Sequence, residues 1–188
     1  MLIDLVTPEY KAIQKFYGDK RAHRSGLPLM NHINEALQIL DWVNAPEITK
    51  SAFCLHPIFQ ADSDFAENWN SNLKEINPNS IILALEYRSV ANEYLSYRKI
   101  SSIQEIRLSP VNEVNLMLAA DKIQNRKDFE LYHEGTHDRS VELKEYFLNW
   151  LDRLGITEEF YLDCKNKLLT HLTQGGCQRS RVGGMVDT

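Results

Sequence analysis

The chain has 188 residues, 43% hydrophobic, 10% aromatic and 25% charged, and its 26 Asp and Glu outnumber its 21 Lys and Arg for a formal charge of −5. That is the profile of one globular domain, long enough to bury a core without disulfides or a structural metal. With only 8 Gly and 6 Pro it is neither collagen-like nor low-complexity, and its acidic balance argues against nucleic acid as a partner, since phosphate-tracking domains carry a basic face.

Cys54, Cys164 and Cys177 form neither a close pair nor a CxxC clip, so no disulfide framework or zinc ribbon is written here. No apolar run approaches the ~20 residues of a membrane span. The first residues, Met-Leu-Ile-Asp-Leu-Val, lack the basic start and long apolar core of a signal peptide. These features predict a cytoplasmic protein with no membrane partner.

Hydrophobic spacing is helical almost throughout. Ile33, Ala36, Leu37, Leu40 and Val43 predict a helix after Pro28 that closes at Asn44-Ala45-Pro46. A second should start at Pro46 or Glu47, carry Ile48, Ala52 and Leu55 inward, and stop near His56 because Pro57 follows. Residues 57–79 read as a long loop with room for a short helical turn, and a loop of that length is more often functional than idle. Ser80 is placed to cap a helix running to about Arg98 through Ile82, Leu85, Val90 and Leu95, with Tyr87, Tyr94 and Tyr97 at the edge of the core.

Residues 99–108 fit either a short strand or a connector. Ser109-Pro110 then signals a helix through Val114, Met117 and Leu118 to at least Asn125. Leu143, Phe147, Trp150, Leu151 and Leu154 mark another, ended by Gly155, and Thr157 opens the last through Phe160, Cys164, Leu168 and Leu172. No repeat is visible. The expectation is a single all-α domain over residues 1–174, followed by a flexible tail over 175–188 without periodicity.

Three of these helices place an ionisable residue on the apolar face. His32 precedes Ala36 by one turn, His56 follows Ala52 by one turn, and Asp121 follows Met117 and Leu118. A buried carboxylate needs a cation, a metal or several donors. Two imidazoles and a carboxylate also form the ligand set that takes Mn, Fe, Zn or Ni. Spacing alone leaves open a metal-free His–Asp hydrogen-bond network and a metal site.

Arg24-Ser25-Gly26-Leu27-Pro28 with His32, then Ala52-Phe53-Cys54-Leu55-His56, then Leu118-Ala119-Ala120-Asp121 with Asn125, resemble in order and spacing the three signature blocks of the HD superfamily. The likeness spans about residues 20 to 130 and is nearest to the RelA/SpoT-type alarmone hydrolases. It implies an HD-like helical bundle around one divalent metal, Mn first and Fe or Zn as alternatives, held by His32, His56 and Asp121. The reaction it implies is hydrolysis of a phosphate ester or anhydride, with a small phosphorylated molecule as partner.

The chain departs from that pattern where the acid of the HD pair is Pro57 and where the adjacent acidic pair that helps activate water is Gln60 and Ala61. Gln60 cannot serve as a general base, so Asp62 and Asp64 are the candidate substitutes. If the site is degenerate, no metal is expected. By the same likeness, Arg21, Arg24 and Lys20 are candidate phosphate contacts, His23 a neighbouring donor, and Asn125 an orienter of Asp121 or a ligand contact. Lys122 and Arg126 are expected on the solvated face, and Trp42, Trp69 and Trp150, taken as exposed, are compatible with a homodimer.

His133-Glu134-Gly135-Thr136-His137 matches the HExxH zinc pattern. Gly135 and Thr136 are poor mid-helix residues, Asp138 and Ser140 resemble a helix cap, and no third ligand follows at a standard spacing, so this segment is expected to be a turn. The function expected from the sequence is an HD-type phosphohydrolase with a pocket for a phosphorylated nucleotide. Its rival is a catalytically silent module that binds a ligand or a protein through the same cavity, and an HExxH zinc hydrolase stands third.

Overall fold

The computed structural model describes residues 7–68, 75–94 and 100–176. Thr7 opens helix α1 (Pro8–Tyr17): its hydroxyl accepts the Tyr10 N–H at 3.2 Å and Pro8 occupies the first turn. Gly18, at φ +51°, ends it by returning its N–H to the Gln14 carbonyl. This helix is not among those expected from the sequence, although Thr7-Pro8 is the same hydroxyl-and-proline start as Ser109-Pro110. Residues 21–28 then form a tight loop closed by an antiparallel bridge between Arg21 and Pro28, with Gly26 at φ +68°.

Helix α2 (Met30–Trp42) buries Ile33, Ala36, Leu37 and Leu40 as the spacing predicts. Helix α3 (Glu47–Gln60) does not stop at His56 but runs through Pro57 for most of a turn. Only the last turn lies beyond the proline, and Ile58 and Phe59 there are buried, so apolar burial outweighs the lost backbone bond. The expected 57–79 loop therefore shrinks: it holds the end of α3 and a short helix α4 (Asp62–Asn68). Residues 69–74, including Trp69, lie outside the described residues.

Helix α5 (Pro78–Glu93) starts two residues before the expected cap. Asn77 caps it by accepting the Asn79 N–H at 3.0 Å, and Ser80 is buried inside. The predicted continuation to Arg98, with Leu95 and Tyr97, lies outside the described residues. The ambiguous segment is a connector with a single 3-10 turn at Ile103–Glu105. Ser109 Oγ accepts the Val111 N–H at 3.1 Å in the turn before α6 (Asn112–Tyr132). That helix begins two residues after the expected Pro110, with Val111 as N-cap and no side-chain cap, and is the longest of the described helices at 21 residues. Helix α7 (Ser140–Arg153) ends before Gly155 at φ +72°. Thr157 then caps α8 (Glu158–Gly176) through the Phe160 N–H. That helix passes the expected boundary at 174. The rest of the predicted tail, including Cys177, lies outside the described residues.

The described residues thus form a single all-α domain with no strand. Helix α3 is central and packs on α1, α2, α5 and α6, while α7 and α8 lie against α6. Phe53, Leu55 and Phe59 of α3 meet Leu37 and Leu40 of α2, Tyr87 and Val90 of α5, and Met117 and Leu118 of α6 in one continuous core. Each such side chain contributes about 1.5–3 kcal/mol of burial free energy. Trp150, expected on the surface, is fully buried in that core, and Trp42 is half-covered with the Lys167 ammonium 5.4 Å above its ring. Among the described residues no helix is long and apolar enough to cross a membrane.

Candidate metal centre

His32 lies in the first turn of α2, His56 in the last turns of α3 and Asp121 midway along α6, so three helices deliver the three side chains to one point. The two imidazole Nε2 atoms are 3.4 Å apart, and Asp121 Oδ1 lies 3.5 Å from that of His32 and 4.0 Å from that of His56. A point equidistant from atoms with those separations lies about 2.1 Å from each, the bond length that imidazole and carboxylate ligands take to a divalent transition metal. The residue spacing therefore converges as expected.

Hydrogen bonds at the far side of each ring fix which nitrogen carries the proton. His56 Nδ1 donates to the Phe53 carbonyl at 2.7 Å, an acceptor only. His32 Nδ1 donates to Gln124 Oε1 at 2.6 Å. With the proton on Nδ1, each ring in its neutral form turns its Nε2 lone pair toward the other. Two such lone pairs beside a carboxylate oxygen are available to a shared cation or to a hydrogen-bond donor. Among the described residues His32, His56 and Asp121 form the group of His, Cys, Asp and Glu side chains that could hold a metal ion.

Asp121 is also braced from outside the triangle. Asn125 Nδ2 donates to Oδ1 at 2.8 Å and Lys122 Nζ to Oδ2 at 2.7 Å. Burial opposes ionisation of this carboxyl, but the Lys122 ammonium and the two imidazoles outweigh it and hold its pKa down at about 2. Burial, followed by the neighbouring His32, pushes His56 down to about 3. The Tyr87 ring packs 4.8 Å from that of His56, and burial together with the Asp121 charge raises the Tyr87 phenol well above its ordinary range. Lys122 is itself buried, its ammonium 5.5 Å from the Tyr146 ring centre and 5.4 Å from that of Trp150. The expectation of a solvated Lys122 is overturned because a carboxylate and two aromatic faces replace its water. Arg126 is likewise buried, paired bidentately with Glu158 at 2.6 and 2.7 Å and stacked on Tyr161.

The three side chains open onto a cavity of about 790 Å³. Of the other candidates, Arg24, Lys20, Asn125, Gln60 and Asp64 line it. The Gln60 amide is occupied by Asn92 at 2.8 Å. Asp62 is 95% exposed at its side chain, pairs with Arg88 and is not on the cavity wall. Arg21 instead closes its own loop, donating to the Gly26 carbonyl at 2.8 Å, and His23 is exposed and away from the cavity.

The HExxH segment is the expected turn between α6 and α7, with Gly135 at φ +76°. Glu134 pairs with Lys144 and His137 Nδ1 accepts the Arg139 N–H at 3.0 Å, so the motif does not assemble a zinc site. Both of its imidazoles nevertheless line the cavity, and burial followed by the Arg24 charge lowers the His133 pKa.

Sequence reasoning missed Tyr17, Gln124, Glu35 and Lys127. Gln124 and Glu35 each follow a site residue by three positions, Asp121 and His32 respectively, so a polar side chain recurring on the apolar stripe was the available signal. No protein-family model, curated protein or solved structure matches the chain.

Proposed function

We propose that the chain is a metal-dependent phosphohydrolase of the HD type that acts on a small phosphorylated molecule, with a nucleotide as the first candidate. The observation that carries this reading is the triangle of His32 Nε2, His56 Nε2 and Asp121 Oδ1 at the wall of a roughly 790 Å³ cavity. The donor set fits a divalent ion of the Mn, Fe or Zn type, because two imidazoles and a carboxylate match its preferences. Such an ion lowers the pKa of water and neutralises charge on a phosphoryl oxygen.

The chain supplies the remainder. Arg24, Lys20, His133 and His137 offer donors to phosphate oxygens from the cavity walls. His137 is suited to this because its Nδ1 is occupied by a backbone N–H, which leaves Nε2–H as its donor edge. Asp64 is a carboxylate on the cavity wall and the candidate proton acceptor, and the Tyr17 phenol is raised by burial, then by Asp121 and Asp64. Asn125 holds Asp121 Oδ1 in place.

A second reading, a ligand-binding module without turnover, is favoured by Pro57, Gln60 and Ala61 standing where the HD pattern has acids. Metal analysis after purification without chelator separates the two. A stoichiometric divalent ion and release of phosphate or pyrophosphate from a panel of nucleotides and alarmones supports the enzyme. An ion-free protein that binds nucleotides and leaves them intact supports the module.

A further inference from the structure

Behind His32 lies a largely buried polar cluster of Glu35, Gln124, Lys127 and Asp128, of which Gln124 and Asp128 reach the cavity wall. Gln124 Nε2 donates to Glu35 Oε2 at 2.9 Å and to Asp128 Oδ2 at 2.8 Å. Lys127, fully buried, places its Nζ 2.7 Å from Glu35 Oε2 and 2.6 Å from Asp128 Oδ1, as ion pairs rather than well-directed hydrogen bonds. Glu35 comes from α2, one turn beyond His32, and the other three from α6, one and two turns beyond Asp121.

We propose that Gln124, held by Glu35, Asp128 and Lys127, is the positioning residue that fixes the His32 tautomer and so reserves its Nε2 for a divalent ion. The second half rests on the metal-centre reading above.

An amide has two orientations, and here only one is compatible with its surroundings. With Oε1 toward His32, both amide protons meet carboxylate oxygens and the imidazole Nδ1–H meets an acceptor. Turned over, the amide oxygen would face two carboxylates with no proton between them, and its NH₂ would face an imidazole N–H. His32 would then have to move its proton to Nε2, inside the triangle, where it would block an ion. Lys127 is what allows two carboxylates to stand side by side around one amide. The cluster carries one more negative than positive charge, and Glu35 Oε1 is enclosed without a hydrogen-bond partner, so the whole group favours donors turned toward it. An outer group of this type holds a metal-binding imidazole in register and raises its basicity.

A purely structural staple between α2 and α6 would leave the tautomer free, and that difference is measurable. In ¹⁵N-histidine-labelled, metal-free full-length chain, long-range ¹H–¹⁵N correlation should show His32 protonated at Nδ1 and bare at Nε2. Gln124→Met, close in shape but without the acceptor, should mix the tautomers and weaken Zn(II) binding by about 10-fold to 100-fold in titration calorimetry. Glu35→Gln, which can still accept from the Gln124 amide, should keep the tautomer. An Nε2-protonated His32 in the parent chain overturns the proposal without any variant having to fold. So does an unchanged tautomer and Zn(II) affinity in Gln124→Met. If the parent shows the stated tautomer and takes up no Zn(II), the metal-centre reading fails while the clamp on His32 stands.

Discussion

The imidazole of His56 donates to the carbonyl of Phe53, and that carbonyl is the one Pro57 leaves without its helical partner. In an uninterrupted helix the N–H of residue 57 would bond to it. A proline at this place deletes the donor, and the ring one residue earlier takes the acceptor over. Pro57 thus helps to orient the histidine beside it.

Replacing Pro57 tests this directly. Pro57→Ala restores a competing N–H, and is expected to raise the urea midpoint while weakening Zn(II) or Mn(II) binding about tenfold. Pro57→Asp adds a carboxylate on the cavity wall and is expected to tighten it by a similar factor. Equal affinity in the parent and Pro57→Ala, by calorimetry, would show that the released carbonyl does nothing for the site.

Asp121 and His32 should separate stability from binding. Asp121→Asn leaves the Lys122 ammonium buried without a counter-charge, at a cost of about 3–5 kcal/mol. His32→Ala removes an acceptor from the site but no charge, and is expected to cost less in urea unfolding while abolishing ion binding as fully. Equal destabilisation by the two would refute the assignment of Lys122 as the brace of Asp121.

Acid should unfold the metal-free chain early. His56 is held at about 3 in the fold, whereas an unfolded histidine titrates near 6.5. Between those values the unfolded chain binds the extra proton, so stability falls with falling pH by up to about 1.4 kcal/mol per unit. Asp121, depressed to about 2, is ionised in the fold while its unfolded counterpart protonates near 3.9, which adds loss of the same sign below about pH 4. Urea midpoints that stay level from about pH 7 to about pH 4 would contradict the burial of His56.

Two groups of cavity-lining residues should respond to different ligands. Arg24→Ala is expected to weaken binding of inorganic pyrophosphate roughly tenfold or more, the worth of one charged hydrogen bond, and to leave Zn(II) binding unchanged. Glu134→Gln should alter neither, because Glu134 is engaged with Lys144 and does not line the cavity. Loss of Zn(II) on changing His133 or His137, the imidazoles that hold zinc in the HExxH pattern, would revive the zinc-hydrolase alternative.

How much was legible in the sequence depended on whether a residue's partner was local. The turns of α2, α7 and α8 followed from apolar spacing and from Gly155 and Thr157, and His32, His56 and Asp121 from the same spacing combined with the cost of burying charge. Helix α3 outran its proline because buried Ile58 and Phe59 lie beyond it, a tertiary gain that a local breaker rule does not contain. Lys122 looked like a surface residue because its counter-charge and aromatic walls come from α6 and α7 together. Gln124 was passed over because glutamine carries no charge to be explained, and its importance appears only with Glu35 and Asp128 around it.

The salt link from Lys122 to Asp121 has a practical corollary. Since the carboxylate already has a built-in counter-ion and both imidazoles are tethered from behind, nothing has to collapse inward for the pocket to receive a guest ion. Loading would then be a matter of supply: a chelator should strip the centre and leave the scaffold standing, and a different ion offered afterwards should enter the same mould.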